Sequence, residues 1–113
     1  ETKENSVIQI NFLINYGSRE EIVHACKKAL QEKLDDKTLT EDTFQNNLYT
    51  NNIPDPDILI RTSNVHRISN FLLWQLSYTE LFFEKELWPD FSRRNLRDVL
   101  SNFQKRNRRY GGL

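Results

Sequence analysis

Four residues with the chemistry to hold an anion fall within nine positions of each other: Arg61, His66, Arg67 and Ser69, in the run R-T-S-N-V-H-R-I-S. Two guanidinium groups can each offer paired N–H donors to phosphate, and a serine hydroxyl adds a neutral donor. That set suits a diphosphate. The same arginines could instead pair with Asp55, Asp57 or Glu80. His66 is open to three readings: metal ligand, acid/base group, or ordinary loop histidine. Glu80 stands in the otherwise apolar stretch L-S-Y-T-E-L-F-F, where a carboxylate needs an arginine or a bound cation beside it. Mg²⁺ is the natural cation to consider, since it takes one or two carboxylates together with phosphate oxygens.

The elements around these residues follow from pattern. Val7 to Ile14 (V-I-Q-I-N-F-L-I) reads as a buried strand, closed by Asn15-Tyr16-Gly17. Ser18, three residues before Glu21, matches a capping box and predicts a helix fading near Leu34, with Ile22, Cys26, Ala29 and Leu30 on its apolar face. Cys26 is thereby read as a packing residue and His24 as structural. Thr40 ahead of Glu41 and Asp42 predicts a short helix carrying Phe44 and Leu48. Asp57 to Arg61 (D-I-L-I-R) reads as a second strand, followed by a polar loop. Ser69 or Asn70 is expected to cap a helix over 70–75, and Thr79–Phe83 is a third strand or that helix's end. Ser92 caps a last helix with Leu96, Val99, Leu100 and Phe103 in one stripe, and Trp74, Trp88 and Phe91 are expected in the core.

This order predicts an α/β fold: a parallel sheet flanked by helices, incomplete at about three strands. Ligands of such sheets sit beyond the carboxyl ends of the strands, and the Arg61–Asn70 loop lies at one of them. Because a parallel sheet buries both faces, further strands are expected from elsewhere, and an exposed edge with poor solubility or self-association without them.

Composition narrows the function classes. Sixteen basic and sixteen acidic residues cancel, so charge makes no overall case for nucleic acid. The charge is uneven. Residues 31–57 hold seven acids to two bases, and residues 92–113 hold seven bases to one acid. A nucleic-acid module built on the basic end is therefore one competing class, weakened by the apolar stripe on the same helix. One cysteine excludes a disulfide framework and a cysteine-based zinc site, which fits a reducing, cytoplasmic setting. No secretory signal and no membrane-spanning run is expected.

Longer motifs carry a resemblance. R-T-S-x-x-H-R-I-S-N-F-L-L-W-Q (Arg61–Gln75), Y-T-E-L-F-F (Tyr78–Phe83), L-W-P-D-F (Leu87–Phe91), R-R-Y-G-G (Arg108–Gly112) and N-Y-G-S-R (Asn15–Arg19) resemble the cis-prenyltransferases, and within them the bacterial undecaprenyl diphosphate synthases. The resemblance implies a parallel sheet flanked by helices, a homodimer, Mg²⁺, and repeated condensation of isopentenyl diphosphate with an allylic diphosphate. The product class is a polyprenyl diphosphate carrier lipid used in cell wall biogenesis, with peripheral membrane contact through that product. It assigns Arg61, Arg67 and Ser69 to the isopentenyl diphosphate, with Arg109 and Gly111 assisting, and His66 and Glu80 to the metal.

Two departures stand out. Asn64-Val65 replaces the Gly-Glu common in the family, and Ser18 replaces the second glycine of N-Y-G-G-R. The family's D-G-N-x-R-W-A segment, with its catalytic aspartate, has no counterpart here. Residues 1–113 are therefore expected to form the C-terminal portion of one domain, holding part of a substrate site without turnover. A non-catalytic partner subunit is the alternative, disfavoured by the intact Arg61/Arg67/Ser69 set.

Overall fold

The computed structural model describes residue 4 and residues 6–106. Its elements run α1 (Ser18–Gln31), α2 (Glu41–Gln45), β1 (Ile58–Arg61), β2 (Glu80–Phe83), a 3₁₀ turn (Trp88–Asp90) and α3 (Arg93–Gln104). β1 and β2 are parallel, with Ile58 opposite Glu80 and Arg61 opposite Phe83. The pairing extends past both strand ends. The Glu80 amide donates to the Asp57 carbonyl at 3.0 Å, and the Glu84 amide to the Arg61 carbonyl at 2.8 Å. The chain after β1 then folds back, with Ser63 and Asn64 donating to the carbonyls of Glu86 and Glu84. The loop that carries His66 and Arg67 is thus tethered at its start to the segment following β2.

The sheet of the described residues has two strands rather than three. Val7–Ile14 forms no strand, and its side chains stand in solvent, with Val7 91%, Phe12 82% and Ile14 87% exposed. A lone extended segment satisfies its backbone groups with water, and only a neighbouring strand turns alternation into a sheet. No described segment supplies that neighbour.

The α1 helix begins where expected, but Gly17 is its N-cap, and Ser18 does not cap it. Its inward face is Ser18, Glu21, Ala25 and Ala29. Two of those are polar, so the buried stripe is displaced from the apolar one. Cys26 is exposed, contrary to the packing role expected of it, and Leu30 is 76% exposed. His24 lies tilted against Tyr49, ring centroids 4.8 Å apart. Both other caps match expectation: Thr40 with Thr43 on α2, and Ser92 with Asn95 on α3, each a reciprocal capping box. Phe44 of α2 packs on Trp74 at 4.7 Å, and Leu48 is buried. Trp88 is 75% exposed and stacks on Phe91, so it is not a core residue here. In the α3 stripe Val99 is buried, whereas Leu96 and Leu100 remain exposed.

The helix expected over 70–75 is absent. Ser69, Asn70 and Leu72 take positive φ values of 54°, 61° and 46°, which a right-handed helix cannot include. Each such residue costs roughly 1–2 kcal/mol unless neighbours hold it. Here they do. Asn70 is a cap, but of α1: its carbonyl accepts from the Ser18 amide and its Oδ1 from the Arg19 amide, both at 2.9 Å. The Ser18 hydroxyl accepts from the Leu73 amide at 2.8 Å. A Cβ on Gly17 would lie 3.0 Å from the Asn70 side-chain nitrogen, so the glycine leaves room for the clamp.

Candidate functional site

Arg61 is the last residue of β1, and the loop after it returns Arg67 and Ser69 to its side chain. Arg61 Nη1 donates to Ser69 Oγ at 2.9 Å, and Arg67 Nε donates to the same oxygen at 3.2 Å. Arg61 Nη1 also donates to the Arg67 carbonyl oxygen. Two cationic groups therefore converge on one hydroxyl, their donating nitrogens no more than roughly 6 Å apart, a separation at which two unit charges repel by about 0.7 kcal/mol at the dielectric of water. Among the described residues neither arginine forms an ion pair with a carboxylate. The expected competition from Asp55, Asp57 and Glu80 does not occur as an ion pair there. Arg67 and Ser69 are exposed and Arg61 is half-buried, so the donors face solvent from a fixed base.

Beside them lies a cavity of about 310 Å³, lined by Leu59, Ile60, Arg61, Ile68, Ser69 and Phe71. The arrangement is amphiphilic: the Arg61 guanidinium and the Ser69 hydroxyl, to which Arg67 also donates, stand among aliphatic and aromatic lining residues. It matches an organic anion with a compact hydrocarbon body.

The proposed metal residues are differently placed. His66 stacks on Phe83 with ring centroids 5.0 Å apart, and its Nε2 lies 3.3 Å from Asn64 Oδ1. Glu80 accepts a hydrogen bond and ion pair from Arg106, whose guanidinium also covers the Phe82 ring at 4.2 Å. Successive strand residues alternate faces, so Glu80 and Phe82 share one face of β2 while Phe83 belongs to the other. Glu80 is also at the opposite end of β2 from Phe83, about 10 Å along the strand. His66 and Glu80 thus do not meet within this chain. Among the described residues no group of three His, Cys, Asp or Glu side chains converges to hold a metal. The partner that Glu80 requires is an arginine. Arg109 and Gly111 lie outside the described residues.

A separate polar hub joins α1 to the segments around residues 16, 49 and 75. Glu21, fully buried in the first turn of α1, accepts from the Tyr49 amide at 2.9 Å, from Gln75 Nε2 at 3.2 and 3.3 Å, and from the Tyr16 hydroxyl. Gln75 also donates to Thr50 Oγ1 at 2.7 Å. Burial, then the bond to Glu21, pushes the Tyr16 phenol up to about 12. Sequence patterning marks Glu21 as the acid of a capping box with Ser18; instead its carboxylate turns inward and gathers donors from other segments, which helix spacing does not reveal. Asn70 reads as a cap and is one, but of a different helix from the one its position suggests.

Comparison with known proteins decides the family. The profile of undecaprenyl diphosphate synthases in the prenyltransferase family matches residues 1–111. The chain belongs to this family. It is 47% identical over 116 residues to the isoprenyl transferase of Oceanobacillus iheyensis, covering 99% of this chain and 46% of that one. The isoprenyl transferase of Enterococcus faecalis is 48% identical over 122 residues, covering 100% of this chain and 45% of its own. Among solved structures, a probable undecaprenyl diphosphate synthase from Campylobacter jejuni superposes with a TM-score of 0.74 at 37% identity, over 87% of this chain and 45% of that chain. Lavandulyl diphosphate synthase from Lavandula x intermedia, in complex with dimethylallyl diphosphate, gives 0.79 at 41% identity over 87% and 44%. The chain spans a little under half the length of these relatives. No helix among the described residues is long and apolar enough to cross a membrane.

Proposed function

We propose that this chain supplies the isopentenyl diphosphate site of a cis-prenyltransferase that builds an undecaprenyl-type polyprenyl diphosphate, acting as a homodimer and meeting membranes through its product. The observation that carries this reading is the convergence of Arg61 and Arg67 on Ser69 Oγ at the carboxyl end of β1, beside the Leu59/Ile60/Ile68/Phe71 cavity. Family membership supports the reaction class.

In that reaction the allylic C–O bond breaks and its electron pair leaves with the diphosphate. The double bond of isopentenyl diphosphate forms the new C–C bond, and loss of a proton from the condensed product restores a double bond. Arg61, Arg67 and Ser69 do none of the bond breaking. They hold the diphosphate of the attacking substrate, and the cavity walls orient its hydrocarbon, so that their contribution is proximity. Arg109 and Gly111 are assigned to the same diphosphate through the family motif. His66 and Glu80 are assigned to Mg²⁺ through the family motif, although within the chain His66 stacks on Phe83 and Glu80 pairs with Arg106.

The test is direct. The 113-residue chain should bind isopentenyl diphosphate by calorimetry, lose at least tenfold in affinity on Arg67→Ala, and form no radiolabelled product with an allylic diphosphate. Binding unchanged by Arg61→Ala and Arg67→Ala would remove the site, and product formed by this chain alone would remove the division of labour.

A further inference from the structure

We infer that Asn70 is a positioning residue for the diphosphate cradle, acting through the backbone of Ser69; this rests on the reading of Arg61, Arg67 and Ser69 as that cradle. Ser69 and Asn70 are consecutive residues with positive φ, 54° and 61°. Asparagine tolerates that region well and serine less so, which leaves Ser69 dependent on what its neighbour holds. Asn70 is gripped from two directions by one helix end. Its carbonyl takes the Ser18 amide and its side-chain Oδ1 takes the Arg19 amide, both at 2.9 Å. Three residues on, the Leu73 amide is held by Ser18 Oγ at 2.8 Å. The first turn of α1 thereby closes on 70–73, and Ser69 is the first residue on the free side of that closure.

The consequence is geometric. The Ser69 hydroxyl receives both guanidinium groups only while the backbone at 69–70 turns left-handed, because its Cβ direction is set by that turn. Gly17 belongs to the same device: a side chain there would press on the Asn70 amide at 3.0 Å. The N-Y-G-S-R segment therefore serves the H-R-I-S-N loop across more than fifty residues of sequence, with Arg19 contributing its backbone amide.

Inorganic pyrophosphate is the probe, titrated calorimetrically into the 113-residue chain and its variants. Asn70→Ala removes the Oδ1 acceptor and the tolerance of positive φ, and should weaken pyrophosphate at least tenfold. Asn70→Asp keeps both and should stay within threefold of the parent. Ser69→Ala should also lose about tenfold, and the double variant should be no weaker than Asn70→Ala alone, because both changes remove the same hydroxyl from the same place. Additive losses near a hundredfold would mean that Asn70 acts independently of Ser69 and would overturn the inference. So would parent-like binding by Asn70→Ala when Arg67→Ala binds poorly, an outcome that leaves the cradle standing. If Arg61→Ala and Arg67→Ala have no effect, the cradle fails and the inference with it. Should Asn70→Ala not fold, Asn70→Gly replaces it, keeping the left-handed turn while deleting the acceptor: a threefold or larger loss is expected, and parent-like binding overturns the inference.

Discussion

Replacing Glu21 by alanine should destabilise the fold more than any other single change at a polar residue. The carboxylate is fully buried and ties the end of the first segment, α1, the turn after α2 and the 70–76 loop to one point. Truncation leaves the Tyr49 amide without its acceptor, at about 1–2 kcal/mol, since Tyr49 is 56% exposed and water can replace part of the lost bond. The Tyr16 hydroxyl and Gln75 amide lose about 1 kcal/mol each, because Tyr16 reaches solvent and Gln75 keeps Thr50. The sum is about 3–4 kcal/mol, a lowering of the melting temperature by about 12–16 °C for a chain of this size. Glu21→Gln retains one oxygen for the Tyr49 amide and should lose only about 1–2 kcal/mol. Urea unfolding followed by circular dichroism measures both, with an unchanged slope showing that the unfolded state is not what moved. A Glu21→Ala chain within about 1 kcal/mol of the parent would show that the hub does not hold these segments together.

Other outcomes follow from the same contacts. The Tyr16 phenol stays neutral in the fold up to about 12, whereas in the unfolded chain it ionises near its ordinary value of 10.0. Its contribution is thus fully present below pH 10 and lost as pH rises toward 12; after allowance for solvent screening this is on the order of 1 kcal/mol, and chemical denaturation of Tyr16→Phe should show no such loss across that window. Ser92→Ala removes the α3 capping box and should lower stability by about 1 kcal/mol in the same assay. On the proposed function, Arg67→Ala in a full-length prenyltransferase containing this chain should raise the KM for isopentenyl diphosphate at least tenfold and leave that for the allylic substrate within about twofold, corresponding to a lost charged hydrogen-bond donor worth about 1.5–3 kcal/mol; equal effects on both substrates in steady-state kinetics would argue against the assignment.

Local chemistry was legible where a residue acts on its immediate neighbours. Thr40 and Ser92 cap the helices that follow them because a short hydroxyl side chain reaches the amide three residues on. Ile58–Arg61 is a strand by its β-branched run, and the Arg61–Ser69 cluster stands out because chemical type and spacing are visible without coordinates. What the spacing could not say was whether the guanidiniums would meet a carboxylate or each other. That depends on the path of the loop, which the pairing of residues 63 and 64 with 84 and 86 sets.

Long-range contacts alone settled the rest. Glu80 took Arg106 as its partner, an arginine twenty-six residues away whose approach depends on where α3 ends. Val7–Ile14 has the composition of a strand, but a strand is a relation between two segments, and composition specifies one. Asn70 shows the same division most clearly. Its type announces a cap and a tolerance of left-handed backbone, both properties of one side chain. Which helix it caps is a property of two segments brought together, and that only the folded chain decides.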